Sequence, residues 1–197
     1  MKKIHLSQGD IRKYIYMRRL KQGASVLGLI LGLGVLGYSL ISSVQSPSAQ
    51  VGAAVMLFSD GFEANNFKMW DAQTNGWTIS DSGHQGSNSA RIVGKATNAV
   101  IEKDLPVFYK SNYNLSYWFK TSYGWNTDDI VNVEYYDGAN WRTLYTHSIE
   151  NGSWTNNAID LPQNALNNSD LKIRFRGTVG SNASFYLDDV EIKHLGE

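Results

Sequence analysis

The sequence predicts an all-β sandwich of two antiparallel sheets, preceded by one transmembrane α-helix. Two observations carry this. From Gln22 to Ser59 no side chain is charged, and an apolar run fills residues 24–44. From about Val55 to Lys193, apolar and polar residues alternate in short runs separated by Gly, Asn, Asp and Ser clusters. That is the pattern of half-buried strands. A third observation narrows the chemistry: the chain has no cysteine, which removes disulfide frameworks, thiolate metal sites and thiol nucleophiles together.

The first element is a basic leader, residues 1–23. Seven Lys and Arg between Lys2 and Lys21 stand against Asp10 alone, a net of +6 in a chain whose total is zero. The remainder is therefore mildly acidic, which argues against nucleic acid as a partner, because phosphate binding needs a clustered positive field. The run at 24–44 is long enough to cross the ~30 Å hydrocarbon layer at 1.5 Å per residue. Positive charge before it and acidic residues after it place the leader in the cytoplasm and the C-terminal part outside. Two readings compete: an uncleaved signal anchor in the cell membrane, and a secretory signal cut among the small residues Val51 to Ala54, which would release the domain. Arg18-Arg19 matches a twin-arginine export signal poorly. Gly28 and Gly32 form a G-x-x-x-G step that suits helix–helix self-association in the bilayer, although glycine is common in membrane helices in any case. Gly23 before the apolar run is also a feature of pilin leaders, but Gly28 stands where those carry Glu. Residues 45–54 read as a short polar linker.

The domain at 55–197 follows. Strands are expected at 55–58, 77–80, 89–93, 98–105, 113–121, 129–136, 141–148, 154–161, 171–176 and 184–193. Asp137-Gly138 marks a hairpin turn between two alternating runs. Pro106 and Pro162 end strands, since proline cannot donate to a ladder. A domain of this size buries enough surface to fold without disulfides. No internal repeat is present.

Four segments resemble bacterial jelly-roll modules: FSDGFEANNFKMW (58–70), GSNSARI (86–92), VNVEYYDGANWRTL (131–144) and FYLDDVEI (185–192). Together they are similar to the MAM/laminin-G-like and carbohydrate-binding jelly rolls of secreted and surface proteins. The absence of cysteine favours a bacterial relative. The resemblance implies a jelly-roll β-sandwich and a structural calcium ion. Asp60, Glu63, Asp188 and Asp189 come from the two ends of the domain, which are often close in space, and carboxylates brought together share a hard cation well. The resemblance assigns Glu63 and Asp188 or Asp189 as ligands, with backbone carbonyls near Ser87 and Asn88. The plainer alternative is a turn at Asp60-Gly61 and a solvated bulge at Asp188-Asp189.

Two places carry aromatics suited to a polysaccharide or other glycan. In the loop 121–129, Tyr123 and Trp125 flank a glycine, with Asn126, Asp128 and Asp129 able to meet hydroxyls. On the strands, alternation turns Trp118, Glu134, Tyr136 and Arg174 outward; if their strands are neighbours, they make one polar, aromatic face. Equally, Trp125 folds back over the core edge, and Glu134 with Arg174 or Arg176 is a cross-strand ion pair. Trp141 reads either way. No G-x-S-x-G, H-E-x-x-H or P-loop is present, and the four His are isolated in sequence. The expected function is a membrane-anchored, extracytoplasmic, non-catalytic module that binds carbohydrate. The alternative is a structural cell-surface, pilus-like or adhesin subunit with protein partners.

Overall fold

The computed structural model describes residues 54–74, 76–105, 112–166 and 168–195. The leader, the 24–44 span and all but the last residue of the linker lie outside the described residues. Among the described residues no helix is long and apolar enough to cross a membrane.

Eleven strands and one short helical turn, α1 (Gln163–Leu166), make up the described chain. One sheet has the order β3 (Trp77–Ser80), β4 (Ser89–Val93), β11 (Ser184–His194), β6 (Tyr113–Thr121), β9 (Thr155–Asp160), and β1 (Val55–Asp60) also pairs with β11. The other has the order β2 (Ala72–Gln73), β5 (Ala96–Asp104), β10 (Lys172–Val179), β7 (Ile130–Tyr136), β8 (Trp141–His147). Every pairing is antiparallel. This is the two-sheet sandwich that the alternation predicts, and the strand bounds agree to within a few residues. The two-residue β2 and α1 are too short to leave a periodic signal.

The alternation also sets the core. Tyr113, Leu115, Tyr117 and Phe119 of β6 face inward and are buried, as are Val131, Val133 and Tyr135 of β7 and Ile173 and Phe175 of β10. The two layers meet through rings: Tyr117 and Phe175 pack edge to face with centroids 5.0 Å apart, and Trp70 meets Phe175 at 6.1 Å. Such edge-on pairs add to what burial alone contributes. Trp70 and Trp77 are core residues.

β11 organises the first sheet. Ser184–Leu187 pair with β4, and Val190–His194 pair with β1 on the same side. Between them lies a bulge at which β11 gains a residue over β6, with Asp189 at φ 44°. The domain's first and last strands are thus hydrogen-bonded neighbours.

Candidate functional site

The outer face of the five-stranded sheet is built by register. Lys172 on β10 lies opposite Tyr136, which lies opposite Trp141; one step along, Arg174 lies between Glu134 and Glu102. Trp141 is held by the hairpin before it. The Asp137 carboxylate accepts from the backbone N–H groups of Ala139 and Asn140 and from Arg142 Nε, which together hold its pKa down at about 2. Asn168 Nδ2 donates to the Tyr136 carbonyl oxygen and steadies the other strand.

Glu134 is the electrostatic centre of this face. Its Oε2 accepts from Arg174 Nε at 2.6 Å and Arg176 Nε at 3.1 Å, and its Oε1 accepts from Arg176 Nη2 at 2.7 Å. Burial alone would raise this carboxyl, but the bonds from Arg176 and Arg174 outweigh it and hold the pKa below the usual range. The Arg174 guanidinium carbon lies 3.8 Å from the centre of the Trp141 ring, and Tyr136 meets Trp141 at 5.5 Å. Lys172 Nζ lies 3.0 Å from Asp104 Oδ1 and 3.3 Å from Glu102 Oε1. Tyr136, Trp141, Lys172 and Glu102 line a hollow of about 350 Å³. Glu134, Tyr136 and Arg174 are therefore together, as the alternation suggests.

Trp118 is not with them. It lies on β6, in the other sheet, so the expectation of one shared face is corrected: alternation shows which way a side chain points but not which sheet holds its strand. Trp118 is also covered. The His84 ring, from the β3–β4 loop, stacks on it at 3.7 Å and 14°. Beside it Lys120 is held between Trp154 and Tyr186, 4.7 Å from each ring, with Ser82 Oγ at 2.8 Å. A small hollow of about 190 Å³ remains beside Trp118, between Ser116, Asn156 and Glu191.

The 121–129 loop is likewise tied inward. Trp125 is buried against Phe185, with no hydrogen-bond partner for its Nε1. Asn126 donates through its backbone N and Nδ2 to Asp129 Oδ2, and Asp129 Oδ1 accepts from Gly180 N at 2.5 Å. Tyr123 points the other way and is 91% exposed. Trp125 and Tyr123 do not form a common platform; Trp125 is the lid on the core edge.

The four candidate metal ligands divide. Asp60 ends β1 and holds the turn that follows: its Oδ1 accepts from Phe62 N and its Oδ2 from Trp70 Nε1. Glu63 accepts from Ser87 N and Asn88 N. Asp188 is fully buried and accepts from His84 N and Asp189 N, while Asp189 Oδ2 meets His84 Nδ1 at 2.8 Å. Burial pushes the Asp188 carboxyl up to about 6, and the nearby charges of Asp189 and Glu63 push the same way. Among the described residues no three His, Asp or Glu side chains stand as a formed metal cluster.

Glu102 is the residue that sequence reasoning misses; alternation along β10 turns Lys172 outward with Arg174, and it leaves Trp141 open. The signal for Trp141 was present: a turn at Asp137-Gly138 that closes on Asn140 puts residue 141 opposite Tyr136. Glu102 had no such signal, because it depends on β5 lying beside β10.

No family model matches the sequence, and no curated protein matches it either. Solved structures do. The chain is similar to the CBM22-1 xylan-binding domain of Xyn10C from Paenibacillus barcinonensis, at 18% identity and a TM-score of 0.56, over 74% of this chain and 97% of that one. It is similar to the K1 cleaved adhesin domain of Lys-gingipain from Porphyromonas gingivalis W83, at 16% identity and a TM-score of 0.55, over 74% and 100%. A family 16 carbohydrate-binding module matches at 18% identity and a TM-score of 0.53, over 67% and 95%. At such identities the likeness is one of fold. The described residues form a jelly-roll β-sandwich, the architecture they share with these carbohydrate-binding modules and this adhesin domain.

Proposed function

We propose that this chain is a non-catalytic module that holds carbohydrate on the outer face of its five-stranded sheet, and that residues 24–44 carry it on the outer side of a cell membrane. The observation that carries the reading is the hollow where Tyr136 and Trp141 stand beside Lys172 and Glu102. Rings give a sugar an apolar surface, and the charged groups around them meet its hydroxyls. One structural neighbour is a xylan-binding domain, which supports the same reading. The carboxyls that a hydrolase would need are already committed here: Glu134 to two arginines, Asp129 to Asn126 and Gly180.

The test is affinity electrophoresis of the full chain in detergent against a panel of soluble polysaccharides. At least one polymer should retard the protein. Trp141→Ala should weaken that binding by about tenfold or more, as loss of a central aromatic does. Tyr123→Ala should leave it unchanged. Loss of binding in Tyr123→Ala with retention in Trp141→Ala would move the site to the loop and sink the sheet reading.

The second reading, a surface or pilus-like subunit with a protein partner, is favoured by Tyr123 and by Ile149, which is 78% exposed. Their loops adjoin through the bond from Thr121 N to the Asn151 carbonyl. Self-assembly of the full chain without retention on any glycan would decide for it.

The same proposal includes a structural calcium ion held by Glu63, Asp188 and Asp189. The support is the crowding of negative charge around the buried Asp188, which a divalent cation would offset. The ion would join the opening turn to the closing strand and take no part in binding chemistry.

A further inference from the structure

The charges around Arg174 specify the ligand more closely. One face of the Trp141 indole is covered by the Arg174 guanidinium. A neutral sugar ring stacking there would have to displace it. What an incoming ligand meets is a planar cation lying flat on an aromatic support.

That cation is held by one nitrogen. Arg174 Nε donates to Glu134 Oε2 at 2.6 Å, and its two Nη groups have no hydrogen-bond partner among the described residues. Arg176 differs: its Nε and Nη2 both bond Glu134, and its Nη1 donates to Asn98 Oδ1 at 3.1 Å. One carboxylate thus serves two guanidiniums by direct contact, because Glu102, opposite Arg174 in register, bonds Lys172 instead. Around Lys172 the contacts reverse, one ammonium lying between the two carboxylates of Glu102 and Asp104. The face therefore offers one place for a negative charge, over Arg174, and beside it a place for neutral hydroxyls. A fork of N–H donors matches the two oxygens of a carboxylate better than it matches a single hydroxyl.

We infer that the ligand of this face is an acidic glycan, a chain bearing uronic acid carboxylates, with one carboxylate received by the Nη groups of Arg174. The inference rests on the carbohydrate-binding reading of this sheet. Arg176 and Glu134 are positioning residues: they aim Arg174 and do not touch the sugar.

The experiment uses the full chain and three acidic polymers: homogalacturonan, alginate and glucuronoxylan. Each is presented as the free acid and as its methyl ester, so that the backbone is constant and only the charge changes. Dextran and dextran sulfate form a separate arm. At least one free acid should bind about tenfold or more tighter than its ester at low salt, and the gap should narrow as salt screens the pair. Arg174→Lys keeps the charge but loses the fork, and should lose most of the gap while melting as the wild type does. Equal binding of acid and ester forms, or binding of neutral glycans alone, overturns the inference and leaves the carbohydrate reading standing. Binding of dextran sulfate as tight as that of the best uronate overturns the carboxylate assignment. Retention of no glycan of any kind overturns the carbohydrate reading itself. The acid–ester comparison is made on the wild type, so it stands even where a variant fails to fold.

Discussion

His147 ends β8 with its ring against Phe119, Tyr145 and Phe185 and with Nε2 2.9 Å from the Tyr117 hydroxyl. Asn157 Nδ2 donates to that hydroxyl at 2.6 Å, so its proton is available to His147 Nε2. A neutral ring suits this, and burial pushes the imidazole pKa down to about 3. In the unfolded chain the same ring titrates near 6.5. The folded state then binds fewer protons than the unfolded state between these values. This contribution to stability is complete above about pH 6.5 and is lost as the pH falls toward 3. Urea denaturation should show a loss of about 3 kcal/mol between pH 7 and pH 4 from this group. His147→Gln should cost about 1 kcal/mol at pH 7 and flatten the acid slope; an unchanged slope would assign the acid sensitivity elsewhere. At this scale the sequence is only half legible. It shows that Trp118 points outward, but the ring that covers it comes from the β3–β4 loop. Trp125 sits in a loop, where no period says whether a ring turns in or out.

Elements were more legible than residues, because a strand repeats its evidence every second position. β6 reads Tyr113, Leu115, Tyr117, Phe119 on one side without a break, and it is buried on that side. Pairing order is another matter. Nothing in β5 or β10 alone shows that they are neighbours, and so the row Asp104–Lys172–Tyr136–Trp141 was hidden. Close approach of the layers was hidden as well. Gly177 of β10 faces Ile92 of β4, where an added Cβ would stand 2.3 Å from Ile92 Cδ1 and 3.0 Å from Val131 Cγ2. Gly177→Ala should therefore destabilise by about 1–3 kcal/mol, and Ile92→Val in the same chain, which removes Cδ1, should recover part of the loss. Additive losses would show that the strain lies elsewhere. The opening turn and the β11 bulge carry the calcium prediction: the full chain should melt at a higher temperature with calcium than with chelator. Identical melts would remove the ion and leave Asp188 simply buried.

For the whole molecule the test is orientation. The chain has no cysteine, so a single introduced thiol reports without background. In cells expressing the full chain, Ser148→Cys, on an exposed loop of the sandwich, should react with a membrane-impermeant maleimide before lysis. Ser7→Cys, in the basic leader, should react only after it. The reverse order would place the domain in the cytoplasm. The sandwich and the run of strands were readable from the sequence because two-residue periodicity and turn chemistry are local. The division of strands between layers is set by long-range pairing and was not.

The pairing of β1 with β11 has a mechanical consequence. The chain enters the domain at Val55, opposite His194, the first of five matched pairs that end at Asp60 and Val190. A tug on that end along the strand axis strains these pairs in shear, all at once, instead of peeling them off singly. A load applied there is shared by the whole ladder, so that the strand yields only when its pairs give way together.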